Sequence, residues 1–256
     1  MNALVMVVAP LAPLHGEPRV SGPQVSQALG GHVLTVLEVR DEWRLVRGED
    51  RYEGWVHAGY LAPLIQQPRA DERLTSLGCI VHGSGARRRA LPPGAYLLPD
   101  DVVDQGEALA PAELHRRFAP DPAAAARTAR TLFEGAPYVW GGVTPWGADC
   151  SGLVQTAYRL HGLMLPRDAW QQAVQGSDAG TDLRALHAGD LLFFSDREDA
   201  RITHVGIAMG DGAMVHSALG RGGFALERLS DHDDLYVERL LTRFKFARRL
   251  DATAAI

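Results

Sequence analysis

The sequence predicts an α+β fold in which small all-β units precede a domain of helices packed on an antiparallel sheet. Short strand-like segments separated by turn residues fill the chain up to about position 120. The pattern changes to helix formers at Asp121-Pro122, and strand-like segments return beyond Gly180. Helices first and antiparallel strands second is the order typical of an α+β domain.

Composition and charge exclude several classes of protein. The chain has 256 residues, of which 46% are apolar and 22% charged, and its formal net charge is -5. These values exclude disordered and collagen-like chains, and the scattered basic residues give no reason to expect a nucleic-acid partner. No long apolar run is present, so we expect no membrane partner. We interpret residues 1–10 as a first strand rather than a signal peptide because they lack a basic start, which predicts a cytoplasmic protein, with a secreted or periplasmic one as the alternative.

Residues 1–66 predict a small antiparallel barrel. Strand-like stretches at residues 33–39, 43–46 and 54–57 are separated by Gly- and Asp-containing turns. The stretch VSQALGGHVLTVLEVRDEWRLVRGEDRYEGWVHAGYL, which ends in a Gly-Trp-Val strand and a short Tyr-Leu tail, resembles a bacterial SH3-type (SH3b) domain.

Residues 67–120 resemble a second, divergent SH3b-like unit. Short strands punctuated by Gly and Pro are again expected, for example before and after Pro92-Pro93-Gly94. We interpret the basic run Arg87-Arg88-Arg89 as a solvated loop because no aromatic residues interleave with it. Cys79 lies in an apolar run and is expected to be a buried small hydrophobe.

Residues 121–256 carry the candidate chemistry. A helix from Asp121 to residue 133 is followed by a second that begins after Asp149, and a third is expected over residues 168–175. Cys150 opens the second helix, where the free N–H groups and the helix dipole are expected to favour the thiolate. Cys150 is therefore a candidate nucleophile, and a buried structural cysteine is the alternative.

The later part of this region predicts strands. They cover residues 190–194, 202–209, 213–216 and, at the end, 235–247.

Two histidines lie on a predicted hairpin. If its turn is the three-residue Gly-Asp-Gly, Met209 pairs with Ala213 and His216 lies opposite Gly206. His204 and His216 then share one face of the sheet about 7–8 Å apart, and Gly206 leaves the space between them open. A two-residue turn would instead place the rings on opposite faces.

A cysteine, a base and a group that orients the base form the arrangement used in covalent catalysis. Cys150, His204 and His216 supply these three groups. A zinc site would use the same residues, but a fourth ligand is not obvious and no HExxH element is present. We therefore expect neither a metal nor another cofactor.

Three stretches occur in the order expected of one family: PYVWGGVTPWGADCSGLVQTAYRLHGLMLPRDAWQQ, LHAGDLLFF and ITHVGIAMGDGAMVHSA. They closely resemble the NlpC/P60 family of papain-like cysteine peptidases. The resemblance implies that a helix carrying the nucleophile packs on a small antiparallel sheet carrying the base. It also implies that Cys150 is the nucleophile, His204 the general base and acid, and His216 the group that orients His204.

Enzymes of this family typically cleave the bond between γ-D-glutamate and a diamino acid in cell-wall stem peptides. The resemblance implies that Arg167 binds the D-glutamate carboxylate beside Ser151, and that Tyr138 lies near the oxyanion or substrate. A packed aromatic for Tyr138 and an ordinary surface residue for Arg167 are the alternatives. Asp149 both caps the helix and offers a carboxylate near the nucleophile. Ala169 replaces a serine that the family often has, so one hydroxyl contact is missing.

Members that combine SH3b units with this peptidase close the cleft around a free N-terminal L-Ala amine. By analogy, Glu17, Tyr52 and Tyr60 are candidates for the SH3b share of that contact, with exposed surface residues as the alternative. The sequence is thus expected to specify a γ-D-glutamyl-L-diamino acid endopeptidase for free L-Ala-γ-D-Glu-diamino acid peptides, acting in murein recycling.

Other functions fit the same resemblance. They are a hydrolase of intact peptidoglycan with wall-targeting SH3b domains, an inert peptidoglycan-binding protein, and an acyl transferase. The sequence specifies neither the diamino acid nor the oligomeric state.

Overall fold

The computed structural model describes residues 3–64, 68–83, 88–231 and 233–251. The chain forms two compact units, Met1–Arg117 and Phe118–Ile256. The division of the first unit into residues 1–66 and 67–120 stays a prediction. In the part of the chain that is described, no helix combines the length and the apolarity that a membrane span requires.

The first unit begins with a seven-stranded antiparallel sheet in the order β3-β2-β6-β5-β4-β1-β7. Every second residue along these strands points inward, and the inward positions form a core of small and branched apolar side chains. The strands predicted from the turn pattern are confirmed. The seven strands are β1 (Leu4–Val7), β2 (Leu11–His15), β3 (Gln24–Leu29), β4 (Val33–Arg40), β5 (Trp43–Arg47), β6 (Glu53–His57) and β7 (Leu61–Leu64).

A three-stranded sheet in the order β10-β8-β9 completes this unit, followed by a short helix. Cys79 on β8 is buried, as expected, and its thiol donates to Ser76 Oγ at 3.3 Å. The elements are β8 (Thr75–His82), β9 (Arg88–Leu91), β10 (Val102–Leu109) and α1 (Pro111–Arg117).

The interpretation of the basic run as a solvated loop is wrong for its described residues. Arg88 and Arg89 belong to β9, and Arg89 forms an ion pair with the buried carboxylate of Asp101. Arg87 lies outside the described residues. A sheet strand, with a carboxylate facing it, overrides the tendency of consecutive arginines to stay in solvent.

The second unit packs helices against a six-stranded antiparallel sheet in the order β13-β18-β14-β15-β16-β17. This architecture confirms the α+β prediction. Its helices are α2 (Pro122–Phe133), α3 (Cys150–Leu160), α4 (Ala169–Gln172) and α5 (Leu235–Thr242). Its strands are β11 (Val143–Thr144), β12 (Gly147–Ala148), β13 (Ser177–Gly180), β14 (Leu191–Phe194), β15 (His204–Gly210), β16 (Ala213–Ala218), β17 (Gly223–Arg228) and β18 (Phe244–Arg249), with β11 and β12 forming a separate two-stranded ribbon.

Two aspartates start the helices that carry this unit. Asp121 accepts a hydrogen bond from Ala123 N and precedes Pro122 at the first helical position of α2. Asp149 caps α3 in the same way. Helices α2 and α3 pack on one face of the sheet, and α5 contributes to the core on the other.

The strand predicted over residues 235–247 is wrong for its first half, which is α5. Asp234 Oδ1 accepts from Tyr236 N at 2.8 Å and so starts a helix. Val237 and Leu240, three residues apart, are buried on one face of that helix. The chain returns to strand only at β18, after the α5 C-cap at Arg243. The third predicted helix is also shorter than expected, ending with α4.

Candidate active site

Cys150 is the first residue of α3 and is 7% exposed. Asp149 holds the start of this helix by accepting hydrogen bonds from Gly152 N at 2.8 Å and Gly141 N at 2.8 Å. The backbone N–H groups of Ser151 and Val205 hydrogen-bond the Cys150 sulfur. Val205 directly follows His204, so the structure brings the cysteine to the beginning of the strand that carries the candidate base.

The Cys150 thiol is neutral at pH 7 in this structure. Burial raises its pKa to about 12, and the nearby Asp149 carboxylate acts in the same direction. The two backbone N–H groups and the Arg167 guanidinium oppose this shift but do not outweigh it. The expectation that the helix start favours the thiolate is therefore wrong for this structure, because desolvation outweighs the backbone N–H groups and the guanidinium that favour the charged sulfur.

The turn between β15 and β16 is shorter than predicted. Gly210 pairs with Ala213, which leaves only Asp211 and Gly212 as the turn. Both have positive φ, 48° and 76°, as a type I′ turn requires. The predicted pairing of Met209 with Ala213 is therefore wrong.

A β-bulge restores the predicted faces of this hairpin. The register shifts by one residue between Ala208 and Gly210, so Met209 is the extra residue. Because the bulge cancels the odd turn, His204 and His216 lie on the same face, as predicted. Their rings are in direct contact, with His204 Nε2 and His216 Nδ1 2.8 Å apart.

Met214 fills the space that was expected to stay open above Gly206. A Cβ atom at Gly206 would lie 2.4 Å from Met214 Sδ. Met214 is fully buried. The absence of a side chain at Gly206 therefore makes room for Met214, and this space is filled.

The surroundings of the two histidines determine the protonation of His204. His216 is 0% exposed. Burial holds the pKa of His204 well below its usual range, and the adjacent His216 and the positive charge of Arg243 act in the same direction. His204 is therefore a neutral imidazole at pH 7, as a general base must be.

A buried carboxylate behind His216 was missed at the sequence level. Glu227 on β17 is 5% exposed, and its Oε1 lies 3.3 Å from His216 Nε2. Arg221 holds the same carboxylate through Nε at 2.7 Å and Nη2 at 2.9 Å. Burial opposes ionisation of Glu227, but the hydrogen bonds from His216 and Arg221 outweigh it and keep its pKa below the usual range. The signal for Glu227 was a single acidic residue in a strand whose pairing with β16 the sequence did not reveal.

Arg167, Ser151 and Asp149 form one buried cluster beneath the α3 start. Arg167 is 1% exposed and binds both Asp149 oxygens, Nη1 to Oδ1 at 3.0 Å and Nη2 to Oδ2 at 2.7 Å. Ser151 Oγ accepts from Arg167 at 2.9 Å and donates to Asp149 at 3.2 Å. The alternative that Arg167 is an ordinary surface residue is wrong.

These contacts change what the cluster is expected to do. In this structure the guanidinium of Arg167 and the hydroxyl of Ser151 serve the internal cluster, so a substrate carboxylate would have to compete with Asp149 for them. Their roles as direct substrate ligands stay predictions. Ala169, the position at which the resemblance leads one to expect a serine, opens α4 and packs into the buried core.

Tyr138 lies near the nucleophile, as expected. Burial raises the pKa of its hydroxyl, and the charges of Cys150 and Asp149 raise it further. The phenol therefore stays protonated and can donate a hydrogen bond toward a developing oxyanion. Its role in binding stays a prediction.

The three candidates of the first unit have local roles of their own. Glu17 forms an exposed ion pair with Arg19 at 2.6 Å. The backbone N–H of Tyr52 donates to Asp50 Oδ1, and Tyr60 packs against the core of the seven-stranded sheet. Their contact with a substrate stays a prediction.

Among the described residues, no three His, Cys, Asp or Glu side chains are arranged to bind a metal ion. The geometry instead provides a thiol, a neutral imidazole next to it in the fold, and a second imidazole with a carboxylate behind it. Such a set can form and hydrolyse an acyl-enzyme.

Comparisons with known proteins agree with this architecture. Residues 135–242 match the NlpC/P60 family, and residues 11–62 match the bacterial SH3 domain. The γ-D-glutamyl-L-lysine dipeptidyl-peptidase of Bacillus subtilis is 40% identical over 110 residues, which cover 43% of this chain and 36% of that protein. The protein of the same name from Bacillus cereus is 29% identical over 226 residues, covering 75% of this chain and 66% of the relative. The chain thus matches about a third of the length of the Bacillus subtilis protein and about two thirds of the length of the Bacillus cereus protein.

A solved structure shares the fold over nearly the whole chain. A crystal structure of an NlpC/P60 family protein from Bacillus cereus superposes with a TM-score of 0.76 at 22% identity, covering 96% of this chain and 99% of that one.

Proposed function

Because the chain combines a bacterial SH3 domain with an NlpC/P60 domain, we propose that it is a cysteine peptidase that hydrolyses the γ-D-glutamyl-diamino acid bond of cell-wall stem peptides. One observation carries the proposal: Cys150 lies against the backbone at the start of β15, whose first residue is His204, and His204 contacts His216. The Bacillus relatives named for γ-D-glutamyl-L-lysine peptidase activity support the choice of bond.

The protonation states define the first step. Burial keeps both Cys150 and His204 neutral, so His204 takes the thiol proton as sulfur attacks the γ-carbonyl carbon. A carbon–sulfur bond forms and the carbonyl electrons move to oxygen. The N–H of Cys150 at the α3 start and the Tyr138 hydroxyl are the donors available to that oxyanion.

The remaining steps return the enzyme to its starting state. His204 gives its proton to the diamino acid nitrogen as the carbon–nitrogen bond breaks, which leaves a thioester on Cys150. Water then attacks the thioester while His204 accepts one of its protons. The γ-carboxyl product leaves, and the thiol is protonated again.

We further propose that the substrates are free L-Ala-γ-D-Glu-diamino acid peptides, cleaved in the cytoplasm during murein recycling. An exposed L-Ala amine is a cation, and Asp149 supplies a carboxylate near the nucleophile, where the amine would share it with Arg167. Glu17, Tyr52 and Tyr60 are the candidates for the contribution of the first unit.

The test compares two substrates by mass spectrometry of their products. One is free L-Ala-γ-D-Glu-diaminopimelate, and the other is the same peptide blocked at its N-terminus by the muramyl group. Cys150→Ala is the inactive variant, and Cys79→Ala, which changes the other buried cysteine, is the matched control.

We expect cleavage of the free peptide alone, abolished only in Cys150→Ala. Equal cleavage of both peptides would overturn the restriction to free amines and favour wall hydrolysis. No cleavage of either would overturn the peptidase proposal.

A further inference from the structure

The position of Glu227 follows from the register of β16 and β17. Met214 pairs with Glu227, and His216 pairs with Ala225. Side chains of these four residues share one face, so Glu227 is the diagonal neighbour of His216. A nearly fully buried carboxylate is costly unless it is paired and hydrogen-bonded, and here its partners are His216 and Arg221.

The hydrogen bonds determine where each imidazole proton lies. The low pKa of Glu227 keeps its carboxylate ionised, so it only accepts, and His216 Nε2 must donate to it. When His216 carries a single ring proton, on Nε2, its Nδ1 is unprotonated and accepts from His204 Nε2 at 2.8 Å. His204 in turn, being neutral, has an unprotonated Nδ1. Through these two hydrogen bonds, the one between Glu227 and His216 and the one between His216 and His204, the carboxylate sets the tautomer of the base.

We propose that Glu227 is a positioning residue that, through His216, holds His204 in the tautomer that can accept a proton at Nδ1. The inference rests on the proposed peptidase function, in which His204 takes the thiol proton. It extends the orienting group beyond His216 to a carboxylate on the neighbouring strand.

Arg221 moderates the charge that His216 experiences. It contacts both oxygens of Glu227, forms an ion pair with Asp234, and its Cζ lies 4.3 Å from the Tyr236 ring centroid. Arg221 thereby holds the Glu227 carboxylate toward His216 and offsets part of its negative charge.

Four titratable or charged groups face the histidine pair. They are Cys150 on α3, Glu227 on β17, Tyr236 on α5 and Arg243 just after α5. Glu227 is the ionised acid in contact with the pair. Its removal therefore lowers the pKa of His204 further, because one nearby negative charge is lost.

The test uses the full chain with three variants. Glu227→Ala removes the carboxylate, and Glu227→Gln keeps the size and one acceptor oxygen while losing the charge. Glu238→Gln makes the same chemical change at an exposed position of α5 and serves as the control. Activity on the free tripeptide is measured as kcat and KM across pH, with circular dichroism and thermal unfolding to verify folding.

We expect Glu227→Ala to lower kcat by about 10- to 100-fold with KM nearly unchanged, as for other partners that orient a functional imidazole. The acidic limb of the kcat/KM profile moves to lower pH, because the base is protonated less easily. Glu227→Gln moves the limb in the same direction with a smaller loss of kcat, and Glu238→Gln changes neither. A limb that does not move in folded Glu227→Gln, or a loss that only follows the folded fraction, would overturn the inference.

A second readout does not depend on catalysis. Imidazole ¹⁵N NMR identifies the protonated nitrogen of each histidine, with assignment from His204→Asn and His216→Asn. We expect Nε2–H in both histidines of the wild-type chain, and a mixed tautomer at His216 in Glu227→Ala. An Nδ1–H His216 in the wild-type chain would overturn the inference even if the peptide is cleaved. If the wild-type chain cleaves no peptide but shows the expected tautomers, the peptidase proposal alone fails.

Discussion

Two buried carboxylate–arginine pairs lie on opposite sides of the candidate active site. Asp149–Arg167 lies at the start of α3, and Glu227–Arg221 lies on the far side of His216. Besides its arginine, the Asp149 carboxylate accepts hydrogen bonds from the backbone N–H groups of Gly141 and Gly152. The Glu227 carboxylate instead accepts one from the imidazole of His216. The Asp149–Arg167 pair therefore stabilises a helix start, whereas the Glu227–Arg221 pair is placed to orient an imidazole.

The two arginines differ in exposure. The side chain of Arg167 is 1% exposed and that of Arg221 is 29% exposed. A buried ion pair leaves an uncompensated charge when one partner is removed, while water can replace much of a partly exposed one. The comparison teaches that the Asp149 pair contributes mainly to stability and the Glu227 pair mainly to chemistry.

The largest expected effect comes from breaking the fully buried pair. Arg167→Met leaves the Asp149 carboxylate buried without its cation and should lower the stability of the second unit by about 3–5 kcal/mol. Hydrogen exchange of the α3 amides measures this locally. Arg130→Met, on an exposed position of α2, is the matched control. Unchanged exchange in α3 would show that the pair is not what holds this helix start.

The packing of the histidine face gives the next effect. Gly206→Ala places a Cβ atom 2.4 Å from Met214 Sδ inside a full core and should cost about 1–3 kcal/mol, seen as a lower thermal midpoint. Met214→Ala removes the clashing side chain. Gly206→Ala should therefore lower the thermal midpoint less in a Met214→Ala background than in the wild-type chain. If the two substitutions are simply additive, Met214 is not the reason for glycine at position 206.

The two carboxylates are expected to differ in their effect on the reactivity of Cys150. Asp149 raises the pKa of Cys150, so Asp149→Asn should lower it and leave Arg167 to favour the thiolate. Alkylation of Cys150 by iodoacetamide at pH 8, followed on its peptide by mass spectrometry, should become about threefold faster for each unit of pKa lost, because the larger thiolate fraction is partly offset by a weaker nucleophile. Glu227→Gln should make the same reaction no faster. Equal acceleration in both variants would remove the distinction between the two pairs.

The smallest expected effect comes from the partly exposed arginine. Arg221→Met should cost less stability than Arg167→Met, because Arg221 is 29% exposed and water replaces part of the lost contact. It leaves the Glu227 charge unbalanced beside His216, so the pKa of His204 rises. The acidic limb of kcat/KM then moves to higher pH, opposite to Glu227→Ala. A limb that moves to lower pH would contradict the moderating role of Arg221.

Local signals predicted much of the fold and the candidate site. The caps at Asp121 and Asp149 and the strands before and after the turns were correct because each depends on a few neighbouring residues. The final segment failed because Leu235 and Val237 alternate as in a strand, while the cap at Asp234 decides for a helix. The histidine face was correct only because the bulge at Met209 compensated for a shorter turn.

Glu227 shows why the rest of the site could not be predicted. It approaches His216 only through the pairing of β16 with β17, and the glycines on either side of Arg221 indicate a turn without specifying that register. Likewise, the partners of Arg167 lie 16 and 18 residues away along the chain.

The sequence by itself determined the helix starts, the strand segments and the thiol and imidazoles that family resemblance and spacing single out. The tertiary structure decided their protonation and their partners. Burial raises the pKa of Cys150 and lowers that of His204. The fold also brings Arg167 into contact with Asp149, and Glu227 into contact with His216. The physical reason is that desolvation and buried ion pairing sum over atoms from many distant segments, whereas caps and turns depend on neighbours along the chain.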